Sequence, residues 1–176
     1  MTLSRRTFAI SALAGAAVPL SGATVPRPAP KMVFNTTDGG KVDTWKHLGK
    51  VVCLEFILTT CPHCQDTSRT LQRLLDTYGP RGFEVMAVAT NPMSHMLIPD
   101  FKKNHQVKFP VAYAESEKAH EYLQHPSIQI MYMPQLVFID KKGMIQRQVP
   151  GGDPFFSQPG QEKNIRAEIE KLLAAK

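Results

Sequence analysis

The chain has little of several features that mark other classes of protein. Its three cysteines and six histidines include no second ligand pair of the kind that a structural zinc site needs. The basic residues are scattered, so the formal charge of +6 is typical of solvated faces and predicts no nucleic-acid partner. The N-terminal apolar run spans about 13 residues, fewer than the ~20 that cross a bilayer, and no internal repeat is visible.

The first 23 residues have the organisation of a signal peptide. Arg5 and Arg6 supply the positive charge, Phe8–Leu20 is the apolar stretch, and Ser21–Ala23 offers small residues for cleavage. With Ser4 before the arginines and Phe8 after them, the segment resembles the twin-arginine export motif. A general secretory signal that carries two arginines is the alternative. Either route leads out of the bacterial cytoplasm.

We therefore expect an exported protein, periplasmic or otherwise extracytoplasmic, in a compartment where disulfides form and persist. A signal that stays uncleaved and acts as a weak N-terminal anchor is the alternative, but no firm membrane anchor is expected. Residues 24–31 carry prolines at 26, 28 and 30, which disfavour regular structure and predict an extended linker. Residues 32–176 then suit one domain.

Strand and helix patterns alternate along this domain, which predicts an α/β fold. Two hairpins are predicted, one around Thr37–Gly40 and one around Lys141–Gly143. Between them, apolar strand, helix and strand patterns over 51–58, 62–78 and 83–90 form a βαβ unit, which implies parallel pairing. Weaker helical patterns cover 99–106 and 116–124, and an amphipathic helix covers 163–173.

The motif Cys61-Pro62-His63-Cys64 lies where the first of these strands gives way to its helix. A helix N-terminus stabilises a thiolate, so two cysteines there, two residues apart, indicate a thiol–disulfide redox centre. A structural disulfide is one alternative, although it would close almost no loop. A zinc site is the other, although Cys53, the remaining thiol, lies mid-strand.

Several motifs together resemble thioredoxin-like proteins of the TlpA/ResA type, within the redoxin or AhpC/TSA superfamily. They are Leu48–Val52, Phe56 placed five residues before Cys61, the Cys-Pro-His-Cys motif, Lys108–Val111 and Met133–Gly143. The resemblance covers roughly residues 32–175. It implies a thioredoxin-like fold, in which helices flank a central mixed β-sheet, with an N-terminal β-hairpin and an extra central helix before Lys108.

The resemblance also implies roles for individual residues. Cys61 would be the exposed nucleophile and Cys64 the resolving thiol, and the two would form the redox disulfide. Pro134 would follow a cis peptide bond after Met133, where the backbone binds an extended substrate. An ordinary trans proline is the alternative, because cis is the minority form of X-Pro bonds. No cofactor and no metal are implied.

Glu55 stands six residues before Cys61, in a strand that otherwise reads as buried. Thioredoxins keep a buried acid at this position. Burial raises the pKa of a carboxyl group, which would let Glu55 exchange a proton with Cys64 near neutral pH. A glutamate at the strand end that reaches solvent is the alternative.

The Pro62-His63 pair bears on the direction of electron flow. His63 would stabilise the Cys61 thiolate and make the disulfide more oxidising, as in DsbA, which has the same dipeptide. A solvated loop histidine is the alternative, and TlpA/ResA-type proteins are mostly reductants, so the direction stays open. The chain also departs from the family pattern: Ile57 and Thr60 replace tryptophans that often flank the motif, and Thr67 stands where some reductants of this type carry a glutamate.

Protein thiols and disulfides are the expected substrates, with a membrane redox partner that recharges the site and a monomeric enzyme. A peroxiredoxin-like peroxide reductase is a second hypothesis, although Leu58 stands where those enzymes carry Thr or Ser. A copper-binding chaperone is a third, with candidate ligands His95, His105, His120 and His125. Phe155 and Phe156 are interpreted either as core residues or as an exposed docking patch.

Overall fold

The strongest strand predicted from the sequence forms the centre of the structure. The computed structural model describes residues 23–175, so the predicted signal peptide, apart from Ala23, lies outside the described residues. The strands are β1 (Arg27–Pro28), β2 (Val33–Thr36), β3 (Lys41–Asp43), β4 (Val51–Ile57), β5 (Phe83–Ala89), β6 (Val111–Tyr113), β7 (Gln135–Ile139) and β8 (Met144–Val149). The helices are α1 (Pro62–Tyr78), α2 (Ser94–His105), α3 (Ser116–Leu123) and α4 (Gln161–Ala174).

These strands form one mixed sheet in the order β1-β8-β7-β4-β5-β6-β2-β3. β4, β5 and β6 run parallel, as the βαβ pattern predicted, whereas β7 pairs antiparallel with β4. The carboxyl ends of β4 and β5 and the amino end of β7 therefore meet at one edge of the sheet. This edge, called the site edge below, carries the chain from β4 into α1.

All seven residues of β4 are buried, because helices cover both faces of the sheet. On one face Val51, Cys53 and Ile57 pack with apolar residues of α1, α2 and α4. On the other face Leu54 and Phe56 pack with residues of α3 and of the β2–β3 hairpin. Each large apolar side chain buried in this way contributes on the order of 1.5–3 kcal/mol. The observed layers confirm the predicted thioredoxin-like α/β fold.

Two predicted segments differ from the structure. Residues 24–31, expected as an irregular linker, include β1, which pairs with β8, and the buried Arg27 donates hydrogen bonds to the Tyr122 carbonyl and to Gln148. The expected lack of regular structure was wrong at Arg27–Pro28, because prolines permit an edge strand whose pairing is set by a distant segment. Helix α2 begins at Ser94 instead of Pro99, so Pro99 lies inside the helix, where it has no N–H to donate to the preceding turn.

Candidate active site at the start of helix α1

Cys61 is the N-cap residue of α1, and Pro62 is its first residue. Cys61 has extended backbone angles, and its Sγ accepts a hydrogen bond from the backbone N–H of Cys64 over 3.4 Å. Pro62 suits this position because it has no N–H and its ring fixes a helical φ. The sulfur of Cys61 thus faces the positive end of the helix dipole.

The two motif cysteines have different surroundings. Cys61 is half-buried and reachable from solvent, whereas Cys64 is fully buried, and both are thiols in this structure. Burial, followed by the negative charge of Glu55, raises the pKa of the Cys64 thiol far above its ordinary value. One thiol is therefore placed for attack on a partner, and the other needs help to lose its proton.

Met133 and Pro134, more than 60 residues away in sequence, lie beside the motif. β7 brings them there, because Gln135 at its amino end pairs with Phe56 at the carboxyl end of β4. The Met133–Pro134 peptide bond is cis, as the resemblance implied. The Met133 carbonyl oxygen lies 4.0 Å from the sulfur of Cys61. The predicted nucleophile and the predicted substrate-binding backbone thus share the site edge.

Glu55 is fully buried on the face of β4 that α1 covers, so the solvent-exposed alternative is wrong. Ser68 Oγ donates a hydrogen bond to Glu55 Oε2 over 2.7 Å, while Oε1 is buried without a hydrogen-bond partner in the described part of the chain. Burial raises the pKa of Glu55 to about 8, against the opposing effect of the Ser68 hydrogen bond. The carboxyl group is therefore suited to exchange protons near neutral pH.

His63 and Pro62 form the exposed rim of the motif. The His63 carbonyl accepts a hydrogen bond from Thr67 Oγ1 over 2.8 Å, which fixes the first turn of α1. Thr67 Oγ1 also accepts a hydrogen bond from the buried Gln161 of α4. The first turn that carries Cys64 is thus tied to the last helix.

Cys53 is fully buried, two residues before Glu55 on the same face of β4. Burial, followed by the charge of Glu55, raises the pKa of its thiol. A buried free thiol of this kind packs as a small apolar side chain.

The segment 150–160 supports the site from the β8 side. Phe155 is buried against Phe138, and Phe156 packs on the same core, so the interpretation as core residues is confirmed. A Cβ atom at Gly151 would lie 2.3 Å from the Tyr132 carbonyl oxygen, so only glycine permits this backbone approach to the Tyr132–Met133 segment. Sequence reasoning missed this contact, because glycine pairs such as Gly151-Gly152 indicate only a turn.

The histidines proposed as copper ligands lie on α2, on α3 and in the turn after α3. The ring centroids of His120 and His125 are 5.2 Å apart, while His105 contacts Arg69 and Phe101. Within residues 23–175, no three His, Cys, Asp or Glu side chains come together in a way that could hold a metal ion. None of the helices in this part of the chain has the length and apolar character to cross a bilayer.

Comparison with known proteins identifies the family of the chain. Residues 25–148 match the AhpC/TSA family. The chain belongs to that family. A Cys-x-x-Cys centre at the start of α1 in a thioredoxin-like fold makes this family member a thiol–disulfide oxidoreductase.

Individual relatives of this AhpC/TSA-family chain carry related names. The thiol-disulfide oxidoreductase ResA of Bacillus thuringiensis subsp. konkukian is 26% identical over 125 residues, 71% of this chain and 69% of that protein. ResA of Bacillus anthracis is 27% identical over 126 residues, with the same shares of the two chains. The crystal structure of a putative thiol:disulfide interchange protein DsbE from Chlorobium tepidum superposes with a TM-score of 0.71 at 21% identity, covering 85% of this chain and 97% of that one.

Proposed function

We propose that this chain is an exported oxidoreductase that exchanges disulfides with protein substrates through Cys61 and Cys64. The observation that carries the proposal is the arrangement of the two thiols. Cys61 is half-exposed at the positive end of α1, beside the Met133 backbone, and Cys64 is buried near Glu55. The names of the ResA relatives support the same activity.

The reaction follows from the different surroundings of the two thiols. The Cys61 thiolate attacks a sulfur of the substrate disulfide, forms a mixed disulfide and releases the other substrate sulfur as a thiolate. Cys64 then loses its proton to Glu55 and attacks the Cys61 sulfur. This second attack releases the reduced substrate and leaves the Cys61–Cys64 disulfide. Two electrons have passed to the substrate, and the reverse sequence oxidises a dithiol.

Substrate binding is assigned to the backbone at Met133, next to Pro134. An extended polypeptide that pairs with this backbone would bring its own sulfur to Cys61. Trapping tests the roles of the two cysteines, because replacing Cys64 with serine leaves the mixed disulfide without a resolving thiol. A Cys64→Ser variant incubated with a disulfide-bonded protein such as insulin should form a covalent adduct that dithiothreitol releases. A Cys61→Ser variant should form none, and adduct formation through Cys64 alone would contradict the assigned roles.

Export is proposed from the predicted signal peptide over residues 1–23, and the twin-arginine pathway from Arg5 and Arg6. Cell fractionation with N-terminal sequencing of the mature protein tests both points. Replacing the two arginines by lysine should retain the protein in the cytoplasm if the twin-arginine pathway is used. Outside the cytoplasm a membrane redox partner would return the site to its starting state.

The direction of electron flow depends on the reduction potential, in which His63 has a proposed role. Equilibrating the chain without its first 23 residues against glutathione buffers measures this potential. A value near that of thioredoxin, about −270 mV, would make the protein a reductant. A value near that of DsbA, about −120 mV, would make it an oxidant. In the second case His63→Ala should lower the potential, because the thiolate would lose a stabilising group.

The family match also favours a second candidate, peroxide reduction. Leu58 stands at the position of the activating Thr or Ser of peroxiredoxins and has no side-chain hydroxyl group. It bonds the motif through its backbone, where its carbonyl accepts a hydrogen bond from the Cys61 N–H over 3.0 Å. We therefore expect slow consumption of hydrogen peroxide compared with the exchange of protein disulfides. Peroxide turnover faster than disulfide exchange would reverse this order.

A further inference from the structure

Ser68 is the only hydrogen-bond partner of the Glu55 side chain in the described part of the chain. Both side chains are fully buried. The residues opposite Glu55 in the sheet, Ala87 on β5 and Leu136 on β7, have apolar side chains. The orientation of the carboxyl group therefore depends on one hydroxyl group.

Ser68 and Cys64 lie on one face of α1. They are four residues apart, which places their side chains one helical turn from each other, and both face β4. The helix that carries the resolving thiol thus also carries the group that holds its proton acceptor. Because a helix is rigid, this arrangement fixes the carboxyl group relative to Cys64.

A hydroxyl group suits this task because an unprotonated carboxyl oxygen accepts its hydrogen bond in either charge state of the carboxyl group. Ser68 donates to Oε2 when Glu55 is ionised, and it can still donate to Oε2 after Oε1 has taken a proton. Ser68 can therefore hold Oε2 before and after the proton transfer. The other oxygen, Oε1, has no partner in residues 23–175 and is left to receive the proton.

We propose that Ser68 is a positioning residue for the resolving step: it holds the Glu55 carboxyl group so that Oε1 takes the Cys64 proton. This inference rests on the proposed function of Glu55 and deepens it. The titratable groups near Glu55 are Cys53 on β4 and Cys64 on α1, and the charge of Glu55 raises the pKa of both thiols. The Ser68 hydrogen bond opposes the effect of burial on the pKa of Glu55, so the hydroxyl group also keeps more of the base ionised.

Ellman's reagent separates the two thiol steps. The Cys61 thiolate attacks the reagent, forms a mixed disulfide and releases one thionitrobenzoate. Cys64 then gives its proton to Glu55, attacks the Cys61 sulfur and releases a second thionitrobenzoate as the Cys61–Cys64 disulfide forms. Stopped-flow absorbance from pH 5 to 10 records the first release as a report on Cys61 and the second as a report on Cys64.

In the Ser68→Ala variant we expect the first phase to be unchanged. The second phase should slow about tenfold at pH 7, with its midpoint about one pH unit higher, because less of Glu55 is ionised. Ser68→Thr, which retains the hydroxyl group, should keep the second phase near the wild-type rate. Thr70→Ala is the matched control, since it removes another buried hydroxyl group of α1 that bonds Arg73 instead of Glu55.

The double variant Glu55→Gln/Ser68→Ala shows whether Ser68 acts through Glu55. If it does, adding Ser68→Ala to Glu55→Gln should change neither the rate nor the midpoint of the second phase. A further slowing in the double variant, or an unchanged second phase in Ser68→Ala alone, overturns the proposal. If Glu55→Gln itself leaves the second phase at the wild-type rate, the proton acceptor in the proposed function is wrong, and the role of Ser68 falls with it.

Discussion

Replacing Glu55 with glutamine should make the reduced protein more stable at neutral pH than the wild-type protein. Burial raises the pKa of Glu55 from its ordinary value of 4.5 to about 8, so between these values the folded protein binds more protons than the unfolded chain. Stability therefore falls as the pH rises through this window. Each pKa unit corresponds to about 1.4 kcal/mol, which gives a loss of about 3 kcal/mol at pH 7 relative to pH 4. Glutamine cannot ionise, and its amide group can still bond Ser68.

Urea unfolding followed by circular dichroism, from pH 4 to pH 9 under reducing conditions, measures the difference between the two proteins. The difference should be smallest near pH 4, should grow by about 1.4 kcal/mol per pH unit, and should level off above pH 8. Glu117→Gln, an exposed glutamate of α3, is the control and should show no such trend. A difference that stays constant with pH, or a wild-type protein that gains stability relative to Glu55→Gln as the pH rises, would refute the reasoning.

Three further predictions concern packing beside the site, in the core and at the β1 border of the sheet. Gly151→Ala should slow insulin reduction, because the added Cβ displaces the Tyr132 backbone, but it should leave the rate of the first reaction with Ellman's reagent unchanged. Gly79→Ala is the control and should change neither rate, since the nearest atom to its added Cβ is 3.6 Å away. Phe155→Ala should lower the free energy of unfolding by about 3–5 kcal/mol, measured by urea denaturation, because it leaves a cavity against Phe138. Arg27→Ala should lower the free energy of unfolding by about 1–3 kcal/mol, because the acceptors at Tyr122 and Gln148 lose their donor. It should also speed hydrogen exchange at the Ala29 N–H, which donates to the Gly143 carbonyl where β1 meets β8.

The elements that the sequence predicted best are those with strong local signals. β4 is a long apolar run, and α1 has a proline at its start and a regular apolar face, so both were placed almost to the residue. β1 and β6 were missed because strands of two and three residues have no periodicity to detect. Their existence depends on pairing with β8 and with β5, which the local sequence does not report.

The same distinction applies to the site. Cys61, Cys64 and Pro62 form one short motif. The burial of Glu55 could be predicted from its apolar neighbours, whereas its role was implied only by the resemblance to thioredoxins. The role of Ser68 was not predicted, although a signal was present: it follows Cys64 by four residues and therefore shares its face of the helix. The hydrogen bond from Gln161 to Thr67 joins two residues that are 94 positions apart in the sequence, and no local pattern indicates it.

The two outermost strands of the sheet are short, and this has a consequence for a protein that handles other polypeptides. β1 has two residues, one of them a proline without an N–H group, and β3 has three. Neither border presents a long row of free backbone donors and acceptors, which is the feature that lets sheets of different molecules join. Incompletely folded substrate proteins therefore have few free backbone groups on β1 and β3 with which to pair as an added strand. Main-chain capture would be confined to the segment beside Cys61, where a captured chain can react and leave.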